Sequence, residues 1–360
     1  MLPVRSSEVV IVGAGVSGLS LARALRDRGV ASLVLERARG VGGRCATRRV
    51  EGRPVDHGLP FLHGRDPDFL RALADVTDAT PLPGWPVIRE GHGLPCQPEA
   101  FEGRDTLLAF QEGLTRFPKH LARGLDLELG ARVVGVSWRR GRGVVALRVE
   151  DGPTIEARHA VLTMPAPQAR ALLGPVATDA AEVAALLPLL DQIRTIVCLA
   201  VIAVYPDDAP RPRWDACYPA TSTMVHAILN DTSKRGEGPL TLVVQGRPRF
   251  SRETRDEPPS SWAKDLLWEA GEFIGPWVER PAALQTHVWE HARVEHATEL
   301  TAPLLATLPD GATISVVGDG FAPGGGVEGA FLAGRSLARR IETSVAGAAY
   351  PERGPSRSAS

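Results

Sequence analysis

The chain has 360 residues, 44% of them hydrophobic, and a formal net charge of -1. This length suits about two domains with a substantial core, and the balanced charge excludes a global attraction to nucleic acid or to an acidic membrane surface. Four cysteines without a C-x-x-C pair are too few and too scattered for a disulfide framework, so a cytoplasmic location fits best.

The sequence predicts neither a membrane span nor a secretion signal. No run of about twenty apolar residues occurs along the chain. The stretch VVIVGAGVSGLSLARAL near the N-terminus imitates a signal peptide, but it lacks a clear positively charged start and three glycines interrupt it.

The first predicted elements form a βαβ unit. An apolar run predicts a buried parallel strand over residues 8–13, an amphipathic pattern predicts a helix over 16–28, and a second strand follows over 32–36. The first strand leads into G-x-G-x-x-G at residues 13–18. This order places free backbone N–H groups and a positive helix end against a pyrophosphate.

The residues of this loop have distinct expected roles. Gly13 makes the tight turn, Gly15 lets the phosphates approach the backbone, and Gly18 lets the helix pack on the strand. Ser17 adds a hydroxyl donor at the helix start. Glu36 ends the second strand and supplies the acid that accepts hydrogen bonds from both ribose hydroxyls. Because such an acid repels a 2′-phosphate, the pattern leaves NAD or FAD as the nucleotide.

Later segments divide between two predicted domains. Residues 131–164 read as a short antiparallel meander that returns to a buried strand at 160–163. TISVVGDG predicts another buried strand, and a helix with a continuous apolar stripe from Val327 to Ile341 follows it. The predicted limits are 1–75, 120–170 and 296–346 for the nucleotide-binding domain, 76–119 and 171–295 for a substrate domain inserted twice into it, and 347–360 for a disordered tail.

The segment after the ribose-binding acid carries a resemblance to a known family. The pattern G-G-R-x-x-T-R is formed by Gly42, Gly43, Arg44, Thr47 and Arg48. It resembles the flavin amine oxidase superfamily, most closely the renalase-like branch of FAD-dependent oxidoreductases. The resemblance implies that Arg44 lies near the pyrophosphate and the flavin, where a guanidinium forms charge-assisted hydrogen bonds of about 1.5–3 kcal/mol each.

The same resemblance implies the fold class. It is an α/β protein with a Rossmann-type FAD-binding domain and an inserted α+β substrate domain. This is the two-domain architecture of amine oxidases and of p-hydroxybenzoate hydroxylase.

The closing segment GDGFAPGGGVEGAFLAG resembles the second cofactor motif of the family. By that resemblance, Asp319 binds the ribityl or phosphate part of the cofactor, and Val327 begins a helix aimed at the flavin. A positive helix end there stabilises the charge of a reduced flavin by about 0.3–2 kcal/mol. Two nucleotide-binding segments at opposite chain ends suit FAD, a long ligand, better than NAD. No cysteine lies near this motif, so the FAD should be held non-covalently.

Further family landmarks complete the predicted cofactor site. Val133 or Val134 lies where the backbone of the family meets the adenine, and VDHGLPFLHGRDPDF resembles the segment beside the flavin ring. The family commonly has glutamine where this chain has Pro60, which donates no hydrogen bond, so a contact to the substrate or the flavin is expected to be lost. The predicted cofactor-binding residues are Gly13, Ala14, Gly15, Ser17, Gly18, Glu36, Arg37, Gly43, Arg44, Leu59, Pro60, Phe61, Val134, Asp319 and Val327.

The candidate residues on the substrate side are His57, Phe61, His287 and Trp289. None of them is assigned as catalytic, because the reactive atom is N5 of the flavin itself. His57 reads equally as a general base or as a structural residue, and the two aromatic residues read also as ordinary core. A zinc pair of His287 and His291 on one helical face is a weaker alternative, since the nearby acid is not placed as in H-E-x-x-H, and no metal is predicted.

The expected chemistry follows from the donor. A dihydronicotinamide becomes aromatic on losing hydride and needs no base, whereas an amine usually needs a proton acceptor or an aromatic cage. None of the three tyrosines, Tyr205, Tyr218 and Tyr350, accompanies the closing motif, which weakens the amine-oxidase reading. The resemblance implies oxidation of dihydronicotinamide nucleotide isomers, with O2 as the acceptor and H2O2 as the product.

Two alternatives stay open. One is an amine oxidase or a desaturase of a secondary metabolite, and the other is a flavin-binding protein without turnover. Phosphate-recognising arginines in the substrate domain, such as Arg211 or Arg213, would favour a nucleotide donor.

Overall fold

The computed structural model describes residues 4–89 and 105–348. Its strands are β1 (Val4–Val12), β2 (Ser32–Glu36), β3 (Thr47–Val50), β4 (Arg53–Asp56), β5 (Leu62–Gly64), β6 (Pro81–Pro83), β7 (Thr106–Phe110), β8 (Asp126–Leu129), β9 (Val133–Arg139), β10 (Val144–Val149), β11 (Thr154–Leu162), β12 (Thr195–Val204), β13 (Ala216–Cys217), β14 (Val225–Asn230), β15 (Thr241–Gly246), β16 (Ala283–Val294), β17 (Leu304–Thr307) and β18 (Thr313–Val316). Its helices are α1 (Val16–Arg26), α2 (Pro67–Ala74), α3 (Arg116–Ala122), α4 (Ala166–Ala177), α5 (Ala181–Ala184), α6 (Leu187–Gln192), α7 (Pro248–Thr254), α8 (Pro259–Ile274) and α9 (Gly326–Ala348).

The largest sheet grows from the predicted βαβ unit, which β1, α1 and β2 form. Its strand order is β17-β18-β11-β1-β2-β8, and the pairs from β18 to β8 are all parallel. The carboxyl ends of parallel strands meet at one edge of a sheet, where open α/β folds bind ligands. The glycine loop, Glu36 and the segment after β18 therefore share one edge, although the chain separates them widely.

The predicted meander is formed by β9, β10 and β11. The strand β11 pairs antiparallel with β10 through Thr154 to Ala157 on one edge and parallel with β1 on its other edge. A register shift between Arg148 and Val149 makes Gly135 and Val133 their partners, so Val134 has no Cα partner across the ladder.

The closing helix α9 packs on α1. The Oγ atom of Ser20 donates a hydrogen bond to the carbonyl of Phe331 at 2.7 Å. Gly334 allows this close approach, because a Cβ at this position would lie 3.0 Å from the backbone nitrogen of Leu21. The predicted apolar stripe is buried at Ala330, Phe331, Leu337, Ala338 and Ile341.

A second, antiparallel sheet has the order β13-β14-β15-β12-β16. One face packs on α8 through Trp262 and Leu266, while Ile202 and Val243 pack with the β3–β4 hairpin on the other face. This second face looks toward the flavin-side segment 57–61, because Gln245 Nε2 donates to the carbonyl of Gly58 at 2.7 Å.

Some segments assigned by sequence to the substrate domain pack elsewhere. Leu173, Val183 and Leu190 of the three helices after β11 are buried in the core of the large sheet, as are Phe110 and Leu114. The limits of the two domains stay a prediction. No helix among residues 4–89 and 105–348 is long and apolar enough to cross a bilayer.

Candidate active site

The glycine loop is tightly packed at two of its glycines and open at the third. Gly13 has a φ of +115°, which favours glycine, and its amide donates to the carbonyl of Leu35 at 2.8 Å. A Cβ on Gly18 would collide with the carbonyl oxygen of Gly13, whereas one on Gly15 would meet no atom within 4 Å. The loop therefore holds its shape by close packing and leaves room beside Gly15.

Hydrogen-bond donors without a partner lie beside the open space at Gly15. The helix α1 begins after Gly15 without a side-chain cap, and the buried Oγ atom of Ser17 has no hydrogen-bond partner among the described residues. Buried polar atoms are rarely left unpaired unless a ligand or water satisfies them. The open cradle, the orphan hydroxyl and the positive helix end fit a pyrophosphate, so the assignment of this loop to the cofactor keeps its physical basis.

The carboxylate of Glu36 is fixed at the same edge. Its Oε2 accepts from the amide of Ala14 at 2.7 Å, and its Oε1 accepts from the amide of Ala38 at 2.8 Å. Each oxygen keeps a further lone pair, which a ribose hydroxyl could use. The neighbouring Arg37 is exposed.

Arg44 and Asp319 form a bidentate ion pair. Their N–O distances are 2.6 and 2.8 Å, and the two residues are 275 positions apart. The sequence assigned each separately to the cofactor, and the structure brings the two motifs into direct contact. Gly43 packs on the glycine loop, since a Cβ on it would lie 3.6 Å from the Cα of Gly15.

The start of α9 is tied to the segment after β5. The Oε1 atom of Glu328 accepts from the amides of Arg65 and Asp66 at 2.7 and 2.6 Å. Three glycines at 324–326, with φ of +78°, +58° and +67°, lead into this helix, and Val327 at its first turn is half-buried.

A buried ion network anchors the segment that precedes the predicted flavin face. Asp56 accepts from Lys234 Nζ at 3.0 Å and from an Arg235 guanidinium nitrogen at 2.8 Å. Burial raises the pKa of Asp56, but these two cations outweigh it and hold the pKa below its ordinary value. Lys234 Nζ also bonds Asp231 at 3.1 Å and the carbonyl of Pro60 at 2.6 Å.

Sequence reasoning missed Lys234, although it is one of only three lysines in an arginine-rich chain. The ammonium lies 4.2 Å from the ring centroid of Trp85, and its side chain is 1% exposed. The hydrogen bond from Lys234 uses the carbonyl of Pro60. The contact expected to be lost at this position is a different one, because it needs a donor on the side chain or on the backbone nitrogen, and proline has neither.

His57, His287 and Trp289 form an aromatic cluster on the substrate side. The His57 centroid lies 4.9 Å from that of His287 and 5.2 Å from that of Trp289, and the last two are 4.4 Å apart. Trp289 Nε1 donates to the carbonyl of His57 at 3.0 Å. Phe61 is buried and packs near His63 and Trp85, and Leu59 is half-buried.

Both imidazoles of this cluster are neutral near pH 7. Burial, with help from Arg48 and His287, lowers the pKa of His57 to about 4. Its buried Nδ1 has no hydrogen-bond partner in the described chain. His287 Nδ1 lies 3.1 Å from an Arg48 nitrogen, and because a guanidinium only donates, that Nδ1 is unprotonated. Burial first, and then Arg48, lower the pKa of His287.

Arg48 makes this part of the site positive. Its guanidinium also donates a 3.4 Å hydrogen bond to the Oε1 atom of Gln285. Within the described ranges, no carboxylate lies within 4.0 Å of its guanidinium.

The helical zinc pair is not formed. His287 and His291 lie on strand β16, where a separation of four residues spans about 13 Å. His291 Nδ1 instead lies 2.8 Å from Thr195 Oγ1. Over the part of the chain that the structure describes, no three His, Cys, Asp or Glu residues are grouped to hold a metal ion.

The arginines suggested for phosphate recognition lie away from the aromatic cluster. Arg211 and Arg213 are exposed and precede β13, at the sheet edge opposite β16. Arg211 bonds the carbonyl of Gly238 at 2.7 Å.

Comparison with known proteins places the chain. Residues 11–76 match an NAD(P)-binding Rossmann-like domain, and residues 79–342 match the flavin containing amine oxidoreductase family. Polyamine oxidase 2 of Arabidopsis thaliana is 43% identical over 60 residues, which are 17% of this chain and 12% of that protein. Hydroxyneurosporene desaturase of Rubrivivax gelatinosus is 41% identical over 79 residues, 21% of this chain and 15% of that protein.

A solved structure shares the whole architecture. Cyclohexylamine oxidase from Brevibacterium oxydans aligns with a TM-score of 0.69 and 16% identity, covering 94% of this chain and 99% of that one. The two-domain fold with a Rossmann-like FAD-binding domain is thereby confirmed. The alignments with the two curated relatives span less than a fifth of their own lengths. The family match, in contrast, extends over most of the chain. The protein therefore belongs to the flavin containing amine oxidoreductase family, whose members are oxidoreductases with FAD as cofactor.

Proposed function

We propose that the protein is a renalase-like oxidase of dihydronicotinamide nucleotide isomers. In this proposal FAD supplies the redox chemistry, taking a hydride at N5 and passing two electrons to O2, so that donor, proton and O2 give the oxidised nicotinamide and H2O2. The residues of this chain have the tasks of binding FAD, orienting the donor and excluding water.

The single observation that carries the proposal is the electrostatics of the aromatic cluster. Among residues 4–89 and 105–348, the side-chain partners of Arg48 are the neutral groups of Gln285 and His287, and the pKa of His57 is lowered to about 4. An aliphatic amine reaches a protein mainly as an ammonium ion, which Arg48 repels. Its proton would also find only imidazoles of reduced basicity. A dihydronicotinamide needs no proton acceptor, and a positive wall suits the phosphates of a nucleotide.

In this proposal the FAD lies between the glycine loop at residues 13–18 and the segment around Asp319. Gly15 and Ser17 would hold the pyrophosphate, Glu36 would hold the adenosine ribose, and the backbone of Val134 would lie beside the adenine. Arg44 and Asp319 would hold the central part of the FAD. Val327 and the loop 59–61 would lie beside the flavin ring. None of Cys45, Cys198 and Cys217 lies in the closing motif, and the pKa of the Cys45 thiol is raised to about 12 by burial, which supports non-covalent binding.

Oxidation of an amine or desaturation of a lipid-like metabolite is the second candidate. It is favoured by the names of two similar proteins, a polyamine oxidase and a hydroxyneurosporene desaturase. An aromatic wall at Trp289 would serve either substrate.

Anaerobic titration of the FAD-loaded protein separates these functions. We expect the 2- and 6-dihydro isomers of NADH to bleach the flavin absorbance rapidly, with ordinary NADH slow and putrescine and cyclohexylamine inactive. Bleaching by an amine alone would replace the proposal with the second candidate. A bound FAD that no donor bleaches would leave a flavin-binding protein without turnover.

A further inference from the structure

Three polar side chains beside the aromatic cluster are joined by direct hydrogen bonds. Arg48 on β3 donates to the Oε1 atom of Gln285 at 3.4 Å and to the Nδ1 atom of His287 at 3.1 Å. Gln285 and His287 are two residues apart on β16, where the register with β12 is regular from Gln285 to Trp289. Side chains at this spacing point to the same face of a strand, so one guanidinium reaches both.

The contact with Arg48 decides which ring nitrogen of His287 carries the proton. Burial first, and then Arg48, lower the pKa of His287, so the imidazole is neutral near pH 7 and holds one proton. A guanidinium has no acceptor, so the Nδ1 atom that faces it must supply a lone pair. The proton therefore lies on Nε2, which is an N–H donor on the other edge of the ring.

The same guanidinium orients the side-chain amide of Gln285. Such an amide has one acceptor oxygen and an NH2 group with two donors. Because the oxygen of Gln285 faces Arg48, its NH2 group points away from Arg48, and within residues 4–89 and 105–348 it forms no hydrogen bond. Arg48 itself carries five N–H donors and no acceptor. Both neighbours of Arg48 thus present donors to the space beyond it.

These donors are reachable, and the nearby acceptors are not. All three side chains are half-buried, and the Nε2 atom of His287 has no hydrogen-bond partner in the described ranges. The Nδ1 atom of His57 is buried, so it offers no acceptor at this surface. Glu290, the nearest acid along β16, falls on the opposite face of the strand and pairs with Arg255 at 2.9 Å. The polar groups that Arg48 brings together are therefore donors with one positive charge.

We propose that Arg48, Gln285 and His287 bind an acceptor oxygen of the substrate, in a carboxamide or a carboxylate attached to the ring that is oxidised. Such an oxygen would accept from His287 Nε2 and lie near the positive charge of Arg48. An ammonium group has only donors and would meet N–H groups and a like charge. The inference rests on the proposed function for the identity of the ring alone, since a dihydronicotinamide carries a carboxamide there.

Ring compounds that differ in one substituent test this selection without turnover. Nicotinamide, nicotinate, 3-methylpyridine and 3-(aminomethyl)pyridine share a pyridine ring, and calorimetric titration measures their affinities for the FAD-loaded protein. We expect nicotinamide or nicotinate to bind about 3-fold or more tightly than 3-methylpyridine, which lacks the oxygen. Over 3-(aminomethyl)pyridine we expect a preference of about 10-fold or more. The tighter of the two oxygen compounds identifies the carboxamide or the carboxylate.

Variants of the donor group should remove the preference for oxygen compounds. His287→Phe keeps an aromatic ring without the N–H, and Arg48→Met removes the charge, so in each we expect nicotinamide and 3-methylpyridine to bind almost equally. Arg48→Lys keeps the charge, and partial retention of the preference in it separates charge from folding. Arg249→Met is the matched control, because Arg249 is exposed on α7 and pairs with Glu253, and it should bind like the wild type. Melting temperature and FAD content are measured on every variant.

Nitrogen-15 NMR of the histidine side chains determines the tautomer directly. The signals of His287 are identified by their loss in His287→Phe. In the FAD-loaded wild type at pH 7.5, we expect a neutral ring with its proton on Nε2. In Arg48→Met we expect a larger share of the form with the proton on Nδ1. A wild-type ring that is cationic, or that carries its proton on Nδ1, would overturn the proposal.

Failure of this inference can be told apart from failure of the proposed function. Cyclohexanecarboxamide and cyclohexylamine carry an acceptor oxygen and an ammonium group on a ring that is not a nicotinamide. A preference for the carboxamide on both rings that depends on Arg48 and His287 supports the inference even if no dihydronicotinamide bleaches the flavin. Tighter binding of the amines, or an unchanged preference in His287→Phe and Arg48→Met, overturns it even if dihydronicotinamide isomers do bleach the flavin.

Discussion

Gly15 and Gly18 belong to one motif, but a glycine is needed at the two positions for different reasons. A Cβ on Gly18 would fall on the carbonyl of Gly13, so the packing of α1 on β1 depends on its absence. Gly15 has a φ of -75° and open space around its Cβ direction, so the chain itself tolerates a side chain there. A glycine is needed at this second position only if a ligand comes close.

Gly15→Ala is therefore expected to leave the apoprotein as stable as the wild type and to weaken FAD binding about 10-fold or more. Gly18→Ala should instead lower the free energy of unfolding by about 1–3 kcal/mol through overpacking. Flavin fluorescence titration and urea unfolding of both variants measure the two effects.

Gly174→Ala is the matched control, because a Cβ on Gly174 in α4 also meets nothing within 4 Å. It should leave FAD affinity unchanged. Full FAD affinity in Gly15→Ala would show that no phosphate approaches this loop.

At the scale of single elements, the network around Asp56 joins the β3–β4 hairpin to the second sheet. Asp56, Asp231, Lys234 and Arg235 carry two charges of each sign and are buried. Removing one member of such a network leaves an uncompensated buried charge, which costs far more than the network contributes relative to an apolar core.

Lys234→Met is expected to lower the free energy of unfolding by about 3–5 kcal/mol. Arg249→Met, which removes the exposed pair with Glu253, should leave it unchanged. Chemical denaturation at pH 7 measures both. A loss below about 1 kcal/mol in Lys234→Met would contradict the assigned role of the network.

The ion network around Asp56 could not be predicted from the sequence. Local patterns predicted β1, α1, β2 and the strand before Gly318, because these strands are short apolar runs and α1 repeats its apolar residues at the helical spacing. Lys234 and Asp56 are 178 positions apart, and no local pattern encodes such a pair.

The conformation of β16 also explains why His287 and His291 do not form a zinc pair. Two histidines four residues apart lie on one helical face, but in a strand they are about 13 Å apart. The segment HVWEHARV pairs with β12 through Val288 and Leu199, so tertiary pairing decided the conformation there.

At the scale of the whole molecule, parallel strands bring the two chain ends to one place. The sequence predicted the convergence of the two glycine-rich segments by family resemblance, and the strand order β18-β11-β1-β2 provides its physical basis, since the loops after these strands share an edge. The sequence assigns residues 171–295 to the substrate domain, because the weak periodicity of the helices after β11 does not reveal which sheet they cover, and these limits stay a prediction.

Buried neutral histidines make the stability of the molecule depend on pH. The pKa values of His57 and His159 are each lowered to about 4, mainly by burial. Below about pH 6.5 the unfolded chain takes up protons that the native state does not bind until about pH 4. The free energy of unfolding is therefore expected to fall on acidification across this window, by at most about 1.4 kcal/mol per pH unit for each histidine.

Urea unfolding between pH 4.5 and 7.5 measures this slope. His159→Gln should flatten it, while His296→Gln, at an exposed position, should leave it unchanged. The lowered pKa of Asp56 acts at still lower pH and does not enter the window. A stability that stays constant or rises on acidification would contradict the account.

We propose that the glycine loop near the N-terminus and the segment around Asp319 together hold one FAD without a covalent bond. The most direct measurement is the flavin content of the purified protein, released by acid precipitation and quantified by chromatography. We expect one FAD per chain, all of it in the supernatant, and less FAD in Gly15→Ala and in Asp319→Asn. A colourless protein that does not take up added FAD would contradict it.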